Sequence, residues 1–438
     1  MGQAGDPGER RRAGLVRYRD DRRTVRQREV RGLGTAQHHA RPRRRTRRGR
    51  RGGAVPGLRR LLVRDRPDPG RRRRLDGPLM LAVQLTAWGA EPEVRDVPMP
   101  RPRGEQVLVR VAAAGLCRSD LHVMDSPAGV FDYPLPVTLG HEVAGTVAEV
   151  GPDADPGWLG EPVVVHGVWS CGDCRNCRRE RENYCLATRR RPDGRLAPLG
   201  NGLGHHGGLA EAMLVPSTRF LVRAHGVDPV AAAPLADAGA TAYHAIREHL
   251  DLIDADTVVL VIGIGGLGHL AVQVLRDLGV RAIVAVDERA EARDLAVRLG
   301  ARIALPDVES AAAELAAAGG ADLVLDFAGA PATVAPAART LAPGGRLVQV
   351  GSAGGRVEVG KDLGLAAGWR VAAPFWATRA DLAAVLDAAR RGALHSTTAT
   401  FPLAEAPAVY RALRAGTITG RAVLIPPGLS PSSTRNRR

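Results

Sequence analysis

The stretch CGDCRNCRRERENYC, residues 171–185, places four of the chain's five cysteines within fifteen positions. Cys171, Cys174, Cys177 and Cys185 follow the spacing C-x2-C-x2-C-x7-C. Two CxxC steps that share their middle cysteine suit one metal ion better than paired disulfides, and Zn2+ takes four thiolates tetrahedrally at about 2.3 Å. An iron–sulfur cluster is the rival, because C-x2-C-x2-C spacing also occurs in ferredoxins. The ligand set is closed at four and nothing else in the chain is redox-like, so zinc is the expected ion. A closed set has no open coordination position, and such a zinc stabilises a lobe without doing chemistry.

The fifth cysteine keeps different company. Cys117 stands in GLCRSDLH, and His141 and Glu142 stand in TLGHEVAG. Asp237, in APLADAGATAYHAI, offers a third donor at the start of an expected helix. Three protein ligands and one open position make the catalytic arrangement of zinc. Taken singly, a cysteine or a histidine is a core or loop residue, and these gain weight only together. His205, His206, His244, His249 and His269 lack partners at ligand spacing and are read as structural.

Further on, VLVIGIGGLG sets Gly263, Gly265 and Gly268 as G-x-G-x-x-G after a strand and before a helix, with Gly266 inside the turn. In such a motif the first glycine makes the turn, the second admits a pyrophosphate, and the third packs helix on strand. The amides of the helix N-terminus then face the phosphates. Asp287 follows 19 residues past Gly268, at the end of the next strand. A carboxylate there binds ribose hydroxyls and repels a 2′-phosphate, which favours NAD over NADP; Arg289 nearby softens that preference.

The elements that must position these groups fall into two kinds. From Met80 the pattern is strand-rich: QVLVRVAAAGLC alternates Val107, Val109 and Val111, HEVAGTVAEVG alternates again, and EPVVVHGVW precedes the cysteine loop. Short strands between Gly and Pro turns predict a small β-barrel or sandwich. Near residue 231 the character changes. AAAPLADAGATAYHAIREHL reads as one helix, and apolar strands (VVLVI, AIVAV, LVLDF, RLVQV) then alternate with helices, the pattern of a parallel sheet covered on both faces. After about residue 371 come two more helices and a last strand, GRAVLIP.

The chain has 438 residues, 45% hydrophobic, and a formal net charge of +16. That charge is not spread evenly. Residues 1–79 hold 26 arginines, no lysine and eight acids, whereas the remainder holds 36 basic against 38 acidic residues. The arginine-rich segment has no periodic apolar face and is expected to be disordered. It also lacks the apolar region of a targeting peptide. A nucleic-acid-binding arm is one reading of it; the favoured one is a wrongly extended start, with the native chain beginning near Met80. No apolar run is long enough to suggest a membrane-spanning helix. The clustered, odd-numbered cysteines argue against a secreted disulfide framework, which makes the cytoplasm the expected compartment.

Together the cysteine lobe, GLCRSDLH, GHE, PLADAG and the glycine fingerprint, in this order, resemble the zinc-dependent alcohol dehydrogenases of the medium-chain dehydrogenase/reductase superfamily. The likeness runs from Met80 to about Pro427 and is closest to bacterial NAD-dependent secondary-alcohol dehydrogenases. It implies an α/β fold: a Rossmann doubly wound parallel sheet plus a β-rich GroES-like catalytic domain. The domains expected are 80–230 (catalytic, with the lobe at 171–185), 231–370 (NAD-binding), 371–427 (returning to the catalytic domain) and a loose tail, 428–438.

By the same resemblance Cys117, His141 and Asp237 match the catalytic zinc ligands, with Asp where many relatives have Cys, and Glu142 matches an acid just behind them. Ser119 and His122 match a proton relay, Arg118 a contact to the pyrophosphate, and Tyr133 and Trp376 walls of the substrate pocket suited to apolar carbinols. The implied enzyme carries two zinc ions per chain, uses NAD, interconverts primary or secondary alcohols with aldehydes or ketones, and is a homodimer or homotetramer. The alternatives are a polyol, formaldehyde-adduct or quinone reductase of the superfamily, a non-catalytic zinc scaffold, and nucleic-acid binding through the basic arm. Zinc ligands count against the quinone type.

Overall fold

The structure is a computed structural model, and residues 78–188 and 190–427 are described; expectations for residues 1–77 and for the tail lie outside them. A six-stranded parallel sheet has the spatial order Ile303–Leu305, Ala282–Val286, Val258–Ile262, Ala321–Asp326, Leu341–Gln349, Arg370–Ala372. In chain order this is 3-2-1-4-5-6, the doubly wound arrangement. The unbroken apolar runs follow from burial on both faces. In the strand Val258–Ile262, Val259 and Val261 join one core while Leu260 and Ile262 join another on the opposite side. The neighbouring strand repeats this, with Ile283 and Ala285 on one side and Val284 and Val286 on the other.

The strand-rich part forms a second, mixed sheet built around Val107–Gly115, which pairs antiparallel with Glu142–Val150, Ala212–Val215 and the last strand, Arg421–Ile425. Val107, Val109 and Val111 are fully buried and Arg110 is exposed, as their alternation predicts. Pairing of Val423 with Gly115 and Leu424 with Ala114 brings the end of the chain beside the residues that lead into Cys117.

One expectation needs correcting. The segment after residue 228 is not a single helix. It runs as a short helix, Pro229–Ala232, a 3-10 turn, Ala233–Ala236, and then the helix Ala238–Arg247. Asp237 sits between them with φ −122° and ψ −65°, outside helical geometry. Pro234 has no amide hydrogen to continue the ladder. The break points the Asp237 carboxylate away from the helix axis and into the cluster described below.

The glycine turn is tight where the motif demands it. Gly263 adopts φ +84°, and a Cβ on Gly268 would lie 2.0 Å from the Gly263 carbonyl oxygen. A Cβ on Gly265 would meet nothing closer than 3.9 Å, so that position faces open space. Gly268→Ala should therefore destabilise the fold by about 1–3 kcal/mol, seen as a lowered melting temperature. Gly265→Ala should leave the melt nearly unchanged and weaken dinucleotide binding in calorimetry.

Candidate metal and dinucleotide site

Cys117 ends the turn that follows the strand Val107–Gly115 and caps the helix Arg118–Asp125, with φ −123° and ψ 154°. His141 and Glu142 lead into the strand Glu142–Val150, which lies against it. Asp237 arrives from the helix break. The ligand atoms of Cys117, His141, Glu142 and Asp237 all lie within 4.8 Å of one another, and all four residues are buried. Asp237 Oδ2 is the nearest meeting point, 3.4 Å from His141 Nε2 and 3.5 Å from Cys117 Sγ. His141 Nε2 has no hydrogen-bond partner, although it is completely buried. A buried, orphaned imidazole nitrogen facing a thiol and a carboxylate is what a zinc ligand set looks like without its ion.

Sequence reasoning missed two residues that organise this cluster. Asp120 is fully buried; its Oδ2 accepts from the Cys117 backbone amide (3.1 Å) and from the Tyr410 hydroxyl (3.0 Å). Its Oδ1 lies 3.1 Å from His141 Nδ1, an ion-pair contact whose angle falls short of a hydrogen bond. Histidines that hold metals commonly offer their second nitrogen to a carboxylate, which fixes the tautomer and turns the other nitrogen toward the ion. Burial opposes charge on His141, but Asp120 outweighs it and holds its pKa well above the ordinary value. A signal for Asp120 was present: it stands three residues after Cys117 in a capping box.

The second is Arg421, which begins the last strand and is buried. It forms a close ion pair with Glu142 and reaches to 3.9 Å from Cys117 Sγ. Burial pushes the Glu142 carboxyl up to about 7 against the pull of Arg421. Glu142 Oε1 also accepts from the Ala238 amide, 3.2 Å away, so it sits behind the cluster and touches the helix that begins there. The Arg421 guanidinium would collide with a Cβ on Gly266, so one cation spans the metal cluster and the glycine turn. Nothing in the local sequence distinguishes Arg421 from the chain's other arginines.

The remaining expected residues are placed as follows. Ser119 is partly buried with its Oγ 3.6 Å from Cys117 Sγ. His122 is exposed, edge-on to Phe131 at 6.1 Å, with no hydrogen bond to Ser119. Arg118 is exposed at the start of the same helix. Asp287 accepts from the Ile264 amide (2.8 Å) within the glycine turn and is gripped by Arg289, whose Nε lies 3.0 Å from Oδ1. Tyr133 stacks on Phe131 at 4.7 Å, with Trp88 beside it, and burial pushes its hydroxyl pKa up. Trp376 packs its ring 5.3 Å from that of His141 and holds φ +55°, a conformation a bulky residue adopts only under constraint. Trp88, Phe131 and Tyr133 form one aromatic group, and Trp376 pairs with His141 and Phe375 instead.

The lobe sulfurs also converge. Cys174 and Cys177 are 3.5 Å apart, Cys171 and Cys185 3.5 Å, and Cys171 and Cys177 3.9 Å. All are free thiols. A tetrahedron with arms of about 2.3 Å has edges of about 3.8 Å, so the spacing fits four thiolates on one zinc. Backbone amides, Leu186 first, draw Cys174 down to about 6, while burial pushes Cys177 up to about 12. A cation is what would bring all four to the thiolate form together.

Asp120→Asn should weaken retention of the buried-site metal about 10–100-fold, measured by competition with a chelator, with the lobe's metal unaffected.

Two family models match the chain: "Alcohol dehydrogenase GroES-like domain" over residues 103–225 and "Zinc-binding dehydrogenase" over residues 266–391. A D-arabinose 1-dehydrogenase (NADP(+)) of Saccharolobus solfataricus is 35% identical over 79% of this chain and 97% of its own length. An NAD-dependent alcohol dehydrogenase of Sulfurisphaera tokodaii is 31% identical over 79% of this chain and its entire length. Among solved structures, the alcohol dehydrogenase of Aeropyrum pernix superposes with a TM-score of 0.71 at 31% identity, covering 79% of this chain and all of that one. The acetophenone reductase of Geotrichum candidum, solved with NAD, gives 0.68 at 28% identity, covering 79% and 97%. The fold is thus a GroES-like domain joined to a Rossmann-type domain, and the chain belongs to the zinc-type medium-chain dehydrogenases, with archaeal as well as bacterial relatives.

Proposed function

We propose that this chain interconverts a small alcohol and its aldehyde or ketone with NAD, using a zinc held by Cys117, His141 and Asp237. The observation that carries the reading is the buried convergence of those three side chains beside a glycine turn shaped for a dinucleotide. Zinc held by these residues would supply Lewis acidity toward a substrate oxygen, and NAD held at the glycine turn would supply the hydride acceptor.

The chain's own residues do the rest. Asp120 orients His141, and Arg421 offsets the charge of Glu142 and of the thiolate. Ser119, beside the sulfur, is placed to take the substrate's hydroxyl proton. Because Ser119 and His122 share no hydrogen bond, passage to His122 and solvent needs a bridging hydroxyl between them. Trp376, Tyr133, Phe131 and Trp88 wall the cleft and exclude water. Arg118, exposed at a helix start, and the amides around Gly265 are offered to the pyrophosphate.

A sugar or polyol substrate is the second reading, favoured by the 35% identity to a D-arabinose dehydrogenase. Arg289 on Asp287 supports some tolerance for the 2′-phosphate of NADP. The reading places the enzyme in the cytoplasm as a homodimer or homotetramer. Free cysteines support the compartment, and the edge strand Arg370–Ala372, with Val371 exposed, supports assembly. None of the described helices is long and apolar enough to cross a membrane.

The test is zinc content together with NAD and NADP reduction across primary, secondary, polyol and sugar substrates. About two zinc ions per chain are expected. Cys117→Ser should lose one of them and nearly all turnover, whereas Cys177→Ser should lose the other and lower the melting temperature. Full metal and full rate in Cys117→Ser would refute the assignment.

A further inference from the structure

One face of the helix Ala238–Arg247 carries a stripe of polar groups that begins at the residue before it. Asp237, Thr241 and His244 stand at i, i+4 and i+7, the spacing that stacks side chains along one helix face. At the upper end Thr241 Oγ1 donates to Asp237 Oδ1 (2.8 Å), which leaves Oδ2 as the oxygen that meets His141 and Cys117. At the lower end His244 is buried with both ring nitrogens engaged. Nδ1 lies 2.8 Å from Asp381 Oδ2, and Nε2 lies 3.1 Å from Asn183 Nδ2 and 3.2 Å from the Tyr184 hydroxyl. Arg247 Nη2 also approaches Nδ1, at 3.4 Å, but Asp381 is nearer and only accepts, so the hydrogen is assigned to Nδ1, and the one lone pair of Nε2 is shared between the Asn183 amide and the Tyr184 hydroxyl.

Asn183 and Tyr184 belong to the cysteine lobe, directly preceding Cys185. The second hydrogen of the Asn183 amide goes to the carbonyl of Phe375 (3.0 Å), the residue before Trp376. Glu182 accepts from the Arg379 amide (2.7 Å), at the start of the helix that carries Asp381. Three consecutive lobe residues therefore hold the helix that begins after Asp237 and the segment whose tryptophan rests on His141. A lobe serving only to stiffen its own loop would need none of these contacts.

We propose that His244 is a positioning residue through which the four-cysteine lobe sets the orientation of the Asp237 carboxylate. The proposal rests on the reading above that Asp237 holds the buried zinc. With the lobe in place, Asn183 and Tyr184 pin His244, the helix face is fixed in rotation, and Thr241 keeps a single Asp237 oxygen toward the ion. Without that pin the helix can turn, and the carboxylate loses its one-oxygen presentation.

The experiment replaces the buried-site zinc of the full chain with Co2+ and reads the visible cobalt band and the chelator-competition affinity, neither of which needs turnover. Asn183→Ala and His244→Ala should each weaken Co2+ binding about tenfold, shift the band and keep the lobe's zinc. The double variant should lose no more than either single one, because both cut the same link. His244→Gln, whose amide oxygen can accept from Asn183 and Tyr184, should recover most of the loss. Arg179→Ala, on the lobe but away from His244, should behave as wild type. Unchanged band and affinity in the single variants, or losses that multiply in the double one, would overturn the proposal. If His244→Ala does not fold, Tyr184→Phe decides: an unshifted band and unchanged affinity count against it. A wild-type chain with no second metal site would overturn the zinc reading, and this one with it.

Discussion

A thiol, an imidazole and two carboxylates share one buried space in this protein, and the rest of the structure is arranged around that crowding. Burying an acidic group is unfavourable unless charge or hydrogen bonds answer it. Arg421 answers part of the demand through Glu142, and Asp120 engages His141 and the Cys117 amide. What remains, the facing atoms of Cys117, His141 and Asp237, is the set that the proposed function gives to a divalent cation. Partial compensation distinguishes a site built to receive an ion from a self-contained polar core.

The cluster is assembled from four stretches of chain that are far apart in sequence. Cys117 and His141 lie at the ends of paired strands, Asp237 at a helix break, and Arg421 on a strand that returns from the far end of the chain. The Arg421 guanidinium also touches the glycine turn of the parallel sheet, so the metal cluster and the dinucleotide turn are assembled by the same contacts. The placement matches the general rule that ligands bind beyond the carboxyl ends of the strands in an open parallel sheet. It also gives the lobe a wider part than its closed ligand set implies, since its residues reach both His244 and Phe375.

Much of this was legible in the sequence because the signals were local. Alternating valines gave the central antiparallel strand, unbroken apolar runs gave the parallel sheet, and cysteine spacing gave the lobe. Asp237 was legible as a donor, but the break that aims it was hidden by an alanine-rich run with strong helix propensity. Asp120 had a local signature in its spacing from Cys117 and was overlooked because an acid in a first helical turn is ordinary. Arg421 and His244 had none. Their roles come from partners between 60 and 304 residues away in sequence, and a pairing of that kind is fixed only by the tertiary fold.

The most direct measurement of the central claim is zinc K-edge X-ray absorption on the metal-loaded full chain. A four-sulfur lobe and a site with one sulfur should average roughly two and a half sulfur neighbours per zinc, with a light-atom shell at about 2.0–2.1 Å. A spectrum with four sulfurs and no light-atom shell would mean that zinc occupies the lobe alone, and that Cys117, His141 and Asp237 do not hold it.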